Sequence, residues 1–215
     1  QVPECREPIG VIYQDDDILV VNKPAFLLSV PGRAKENRDC VTRRLLTDYP
    51  DLRLVHRLDL DTSGLMVLAL NRQAQSNLSR AFQQRQVEKR YQAVVAGQVA
   101  SESGQVALPL APDWPNRPLQ KVCFDSGKPS LTEWWVLERY PPDNATRLAL
   151  RPVTGRTHQL RLHCREIGHP ILGCDLYAPA DIVNLSDRLL LHAECLAFNH
   201  PRTGLWQTFQ APVPF

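Results

Sequence analysis

Val55-His56-Arg57-Leu58-Asp59-Leu60-Asp61-Thr62-Ser63-Gly64-Leu65-Met66-Val67-Leu68-Ala69 is the stretch on which the reading of this chain turns. It sets two carboxylates, a histidine and an arginine against Thr-Ser-Gly and then enters an apolar run of strand length and composition. Charged groups packed against a buried strand are costly unless paired, so the stretch is a candidate site. Asp59, two positions after an arginine and just before a turn, is suited to act as nucleophile or base. Asp59 or Asp61 capping the turn through Thr62-Ser63-Gly64 accounts for the same pattern. On these residues alone the two readings carry equal weight.

Outward from this stretch, the pattern is that of a loop-rich α+β protein. Upstream, 10–13 and 18–21 are short β-rich runs joined by Gln14-Asp15-Asp16-Asp17, a hairpin with an acidic turn, closed by Asn22-Lys23-Pro24. Residues 41–49 have helical spacing and end before Pro50. Downstream, 65–70 reads as a strand, and Asn71 caps a helix whose buried face is Ala74, Leu78, Ala81 and Phe82. A strand over 91–97 puts Tyr91, Ala93 and Val95 on one face and Gln92 with Val94 on the other. Residues 109–122, with four prolines, are too proline-rich for an element interior and read as an ordered binding loop. There Trp114 offers a stacking surface, while Arg117 and Lys121 offer phosphate contacts, against the plainer reading of a loop pinned by proline and tryptophan. Trp134 and Trp135 fall on opposite faces of a strand over 132–137, and 146–150 is another. Thr157 is the expected cap of a short helix burying Leu160, Cys164 and Ile167 and ending at Gly168, with Arg161 one turn in.

A chain of 215 residues with 43% apolar residues buries a core of its own. It is expected to form a single domain over 1–215, an expectation that two lobes would also satisfy. Its 18 prolines against 10 glycines favour fixed loops over long helices. A formal charge of +2 is modest for a nucleic-acid binder, but the positive charge is grouped. Arg33, Lys35, Arg38, Arg43 and Arg44 form one group, Arg80, Arg85, Lys89 and Arg90 a second, and Arg156, His158, Arg161, His163 and Arg165 a third. These make one basic face for phosphates, or simply a solvated surface. Six cysteines without a Cys-x-x-Cys pair point to free thiols in a reducing cytosol. No apolar run approaches the roughly 20 residues of a membrane span, and no signal peptide is read at the start. The spacing of His158, His163, Cys164 and His169 fits no common zinc pattern, and arginines among them would repel a cation, so no metal is expected.

His-Arg-Leu-Asp, two residues and Thr-Ser-Gly resemble the central motif of the RluA-type pseudouridine synthases. Gly155-Arg156-Thr157-His158-Gln159-Leu160-Arg161-Leu162-His163, His169-Pro170-Ile171-Leu172-Gly173 and the 188–193 segment are similar to the same family, and the likeness runs over 12–215. The resemblance implies a pseudouridine synthase fold, a central mixed, largely antiparallel sheet flanked by helices and loops, without an added S4-type RNA-binding domain. It implies Asp59 as the catalytic aspartate, Tyr91 lying against it, Arg161 pairing with it, and Arg57 helping to evict the target base. His56 and Arg156 join Arg57 and the 114–121 residues as the RNA-contacting set. His192 reads as a structural hydrogen-bonding residue. Asp-Trp-Pro-Asn-Arg-Pro (113–118) matches one subgroup closely, which implies substrates in 23S rRNA and in the tRNA anticodon arm. The reaction is an isomerisation, so no cofactor is implied, and a cytoplasmic monomer without an obligate protein partner is expected.

Two positions depart from the pattern. Phe26 stands where the family has glycine in Asn-Lys-Pro-x-Gly-Leu, so this loop is expected to do without positive φ. Cys174 stands where an aspartate usually follows Gly173, with Asp175 one place later. Two other classes remain open on the sequence. One is a non-catalytic RNA-binding protein on this fold. The other is a nucleoside glycosidase using Asp61 as its second carboxylate.

Overall fold

The computed structural model describes residues 3–215 except 33, 35 and 36, so Arg33 and Lys35 of the first basic group lie outside the described residues. In chain order the elements are β1 (Gly10–Gln14), β2 (Ile18–Lys23), α1 (Val41–Leu45), β3 (Arg53–Leu54), β4 (Ser63–Ala69), α2 (Arg72–Gln83), β5 (Glu88–Ala96), β6 (Ser103–Ala107), β7 (Leu110–Pro112), β8 (Gln120–Val122), β9 (Leu131–Tyr140), β10 (Ala145–Pro152), α3 (Gln159–Glu166), α4 (Ala180–Val183), β11 (Leu191–Asn199) and β12 (Trp206–Gln210). They fall into two compact units, Gln1–Glu88 with His192–Pro214, and Lys89–Leu191 with Phe215. The expected α+β class, with mixed and largely antiparallel strands, is the one found.

In the first unit the strand order is β1-β2-β4-β11, with β12 on β11 and β3 on β4. All pairs are antiparallel except β4 with β11, where Ser63 faces His192 and Gly64 faces Ala193. Every residue of β4 is buried, as its unbroken apolar run requires. Ile18, Val20, Leu65, Val67, Ala74, Leu78, Leu196 and Phe198 form this unit's core. The α2 cap is the one expected, Asn71 Oδ1 accepting from Ala74 N–H at 2.9 Å, while its amide donates to Asp17 at 2.9 Å.

In the second unit the order is β5-β10-β9-β6, antiparallel throughout, and β7 pairs with β8 in a separate two-stranded sheet. Ala93 and Val95 enter the main core with Tyr91 packed against it, whereas Val94 joins another cluster with Ala145 and Leu172, as strand alternation requires. Trp134 is buried and Trp135 exposed, on opposite faces of β9. Buried Gln159 ties α3 to this sheet, its side-chain amide donating to Leu131 O at 2.9 Å and Thr132 Oγ1 at 3.0 Å.

Four local expectations change. Phe26 does adopt positive φ, +62°. The Lys23 ammonium binds Pro24 O and Leu27 O on either side of it, and that grip offsets the ~1–2 kcal/mol cost of left-handed backbone. The 109–122 segment is not wholly loop, because β7 and β8 pair as a hairpin around a short 3-10 turn at Trp114–Asn116. Strands of three residues on a separate two-stranded sheet accommodate the prolines that a central strand would reject. The cap of α3 is His158 in left-handed conformation, φ +55°, rather than Thr157. Finally, α1 ends at Leu45, four residues earlier than its periodicity indicates.

Candidate active site

The first unit carries His56, Arg57 and Asp59 on the segment between β3 and β4. Arg57 is exposed and Asp59 half-buried. The turn after Asp59 is closed by main chain, Thr62 N–H donating to Asp59 O at 3.3 Å. The chain is fastened on both sides of the aspartate. Leu58 N–H donates to Ser29 Oγ at 3.1 Å, and the Ser29 hydroxyl donates back to Leu58 O at 2.7 Å. Leu60 O accepts from the fully buried Lys23 ammonium at 3.1 Å, which also holds Pro24 O at 2.9 Å and Leu27 O at 2.7 Å. Such bracketing limits the directions in which the Asp59 carboxylate can point.

The Thr-Ser-Gly part of the motif has its own reasons. Ser63 Oγ lies 2.8 Å from His192 Nδ1, and His192 Nε2 lies 3.3 Å from Ala211 O. A carbonyl only accepts, which assigns the proton to Nε2 and makes Nδ1 the acceptor of the Ser63 hydroxyl. Buried His192 is thus structural, as expected. Gly64, at φ +118°, has the Ala193 carbonyl oxygen 2.3 Å from where a Cβ would stand, so only glycine lets β4 and β11 meet. His56 also serves the fold, its Nε2 accepting from Val67 N–H at 3.0 Å and its ring stacking on Phe82 at 4.5 Å.

The second unit carries Tyr91 and Arg161. Tyr91 is half-buried near the start of β5, opposite Leu150 of β10. Arg161 is 2% exposed; its Nε donates to Cys174 Sγ at 3.3 Å and its Nη2 to Asp175 Oδ1 at 2.8 Å. The displaced Cys174-Asp175 pair is therefore part of this arginine's surroundings, a role not apparent from its sequence position alone. Tyr177 is a further member of these surroundings that the sequence does not single out. Its ring lies 5.8 Å from the Arg161 guanidinium, its hydroxyl 2.6 Å from His158 Nδ1, and the same oxygen accepts from Gln120 N–H of β8 at 2.9 Å. It thereby links α3 to the β7–β8 hairpin.

At the tip of that hairpin Trp114 is 65% exposed, with the Arg117 guanidinium 3.5 Å above its ring. One ring face is thus occupied by a cation and the side chain remains outward. Asn116 donates to Asp113 at 2.8 Å, and Lys121 lies 3.8 Å from Asp113, a carboxylate that offsets part of the hairpin's positive charge. Arg156 is half-buried, its Nε donating to Pro129 O at 3.2 Å. Not every member of the basic groups is available to phosphates. Arg44 pairs with Asp39 and Arg165 with Glu166, while burial pushes His163 down and keeps it neutral.

The three histidines and the cysteine of the 158–169 stretch have separate engagements. His158 meets Tyr177, His163 meets Thr132 at 2.9 Å, His169 meets Ala96 O at 2.8 Å, and burial pushes Cys164 up to about 12. Asp15, Asp17 and His200 do bring ligand-type atoms within 4.8 Å of one another. Those carboxylates are already engaged by Tyr13, Asn71, Arg202, His200 and backbone N–H groups, a hydrogen-bonded knot rather than an ion cage. No described helix is long and apolar enough to cross a membrane.

The chain matches the family described as RNA pseudouridylate synthase over residues 17–166. It is similar to the Dual-specificity RNA pseudouridine synthase RluA of Escherichia coli (strain K12), with 51% identity over 211 residues that cover 98% of this chain and 96% of that protein. Against the protein of the same name from Pasteurella multocida (strain Pm70), identity is 49% over 213 residues, covering 99% and 97%. Among solved structures, Human RNA Pseudouridylate Synthase Domain Containing 1 aligns with a TM-score of 0.82 at 30% identity, covering 99% of this chain and 86% of that one.

Proposed function

The chain belongs to the RNA pseudouridylate synthase family, in its RluA branch, and from that premise we propose that it converts uridines of both 23S rRNA and the tRNA anticodon stem-loop, with Asp59 as the catalytic aspartate. The observation that best supports Asp59 is the fastening of Leu58 by Ser29 and Leu60 by Lys23, which fixes the backbone on both sides of one half-buried carboxylate. Relatives named as dual-specificity enzymes support the pair of RNA substrates.

The target uracil is stacked within a loop, so the nucleotide must first be flipped out. Exposed Arg57 takes the vacated place, since a planar guanidinium both stacks and binds phosphate. Asp59 initiates scission of the C1′–N1 bond. The freed uracil turns and C1′ bonds to C5, after which the C5 hydrogen leaves as a proton and N1 gains one. The sum is an isomerisation with no change of oxidation state. Tyr91, in its apolar surroundings, serves the proton removal from C5, and Arg161 orients the aspartate. Trp114 stacks on an RNA base, with Asn116, Arg117, Lys121, Arg156 and His56 completing the contacts. In this reading the protein works as a single catalytic domain, a cytoplasmic monomer without a cofactor.

The test is to incubate purified protein with 23S rRNA and tRNA transcripts and map pseudouridine by carbodiimide adducts and primer extension. Stops in both transcripts with wild type, and in neither with Asp59→Asn, are expected. Free uracil in place of pseudouridine would instead identify a glycosidase.

A further inference from the structure

We propose that Lys89 binds an RNA backbone phosphate beside the target nucleotide, held for that purpose at the head of β5 next to the Gly155-Arg156 turn. The inference rests on the RNA-modifying reading above and adds a residue to it.

Strand alternation places Lys89 on the same face of β5 as Tyr91, Ala93 and Val95, while its neighbours Glu88 and Arg90 are exposed on the other. The β5–β10 register pairs Tyr91 with Leu150, so the strand carries Lys89 towards the turn that leads from β10 into α3. There its Nζ lies 3.3 Å from where a Cβ on Gly155 would stand. Arg156, the next residue, is half-buried with its guanidinium turned to Pro129 O. One turn thus has two cationic side chains beside it, Lys89 from the face of β5 that Tyr91 shares and Arg156 from the turn itself.

Lys89 is half-buried, and among the described residues its ammonium has no hydrogen-bond acceptor and no carboxylate partner. The contrast with Lys23 is direct, since that buried ammonium fills its needs with three carbonyls. Burial pushes the Lys89 pKa down, the mark of a cation short of compensation. An anion supplied by a ligand removes that penalty. In a substrate made of RNA the abundant anion is phosphate, and a compact ammonium binds it as a point charge without selecting a base. The phosphate next to the nucleotide that Tyr91 serves is the one this face would meet.

Binding of a fluorescent tRNA anticodon stem-loop is measured for wild type, Lys89→Met and Lys89→Arg at 50 to 200 mM salt, with KM and kcat alongside. The expected result is about fivefold weaker binding for Lys89→Met at low salt, carried by KM more than by kcat. The gap should narrow about threefold across the salt range, because one lost phosphate contact lowers the slope of log K against log salt by about 0.7–0.9. Lys89→Arg should restore most of the affinity. Unchanged affinity and slope in Lys89→Met, or a fall in kcat with KM unaltered, would overturn the assignment. Failure of wild type to bind any RNA would instead strike at the functional reading, which separates the two.

Discussion

Replacing Lys23 by methionine removes an ammonium and leaves its hydrocarbon stem in place. In the native protein Nζ donates to Pro24 O at 2.9 Å, Leu27 O at 2.7 Å and Leu60 O at 3.1 Å, and the side chain is fully buried. Pro24 and Leu27 are themselves buried and Leu60 half-buried, so water cannot freely replace the lost donor. At about 1 kcal/mol or more for each stranded acceptor, the three carbonyls account for about 3 kcal/mol of lost stability. For a chain of this size each kcal/mol moves Tm by about 2–4 °C, which gives a fall of about 6–12 °C by calorimetry or near-UV melting. The same change frees Leu60, the residue after Asp59, and releases the restraint that keeps Phe26 at positive φ. Turnover on RNA should therefore fall even below the new Tm. A Lys23→Met protein melting within about 2 °C of wild type would refute the view that this ammonium holds the loop.

Other perturbations address separate parts of the structure. Gly64→Ala drives a Cβ against the Ala193 backbone, so little folded protein is expected, as judged by soluble yield and near-UV dichroism. Tyr177→Phe removes the oxygen that accepts from Gln120 N–H and meets His158; a loss of about 1 kcal/mol in stability is expected, with faster amide exchange in the β7–β8 hairpin. The Arg202 guanidinium holds the Asp17 carboxyl below its usual range. A carboxylate with a lowered folded pKa adds stability that is present above the unfolded value of about 3.9 and lost as pH falls through the folded one. Asp17→Asn should therefore melt lower than wild type at pH 7, with the two curves converging as pH falls through the lowered folded value.

Those parts of the fold governed by local patterns were legible in the sequence. The capping of α2 by Asn71 needs only the residues of one helical turn, and the division of Tyr91, Ala93 and Val95 from Val94 follows from the pleat. The central motif was legible as a site because it sets charge against an apolar strand, but its support was not. Ser29 and Lys23 lie 29 and 37 residues upstream of the residues they hold, a separation that no local pattern spans, and Lys23 reads in the sequence as part of the Asn22-Lys23-Pro24 close of the hairpin. Phe26 defied its residue type because a buried lysine clamps the carbonyls around it, a tertiary restraint that no local preference reports. The partnership of Arg161 with Asp175 depends on the path of the chain after α3. Asp113 lay in plain sight, yet only the hairpin brings it against Lys121 and lowers the positive charge expected there.

The central claim is tested most directly by release of tritium from C5-labelled uridine in 23S rRNA and tRNA transcripts, with wild type and Asp59→Ala compared at equal folded concentration. C5 must lose its hydrogen on becoming the glycosidic carbon. Release from both RNAs by wild type, and none above background by Asp59→Ala, is the predicted result. Equal release by the two proteins would contradict the role of Asp59, and none from either RNA by folded wild type would contradict the proposed substrates.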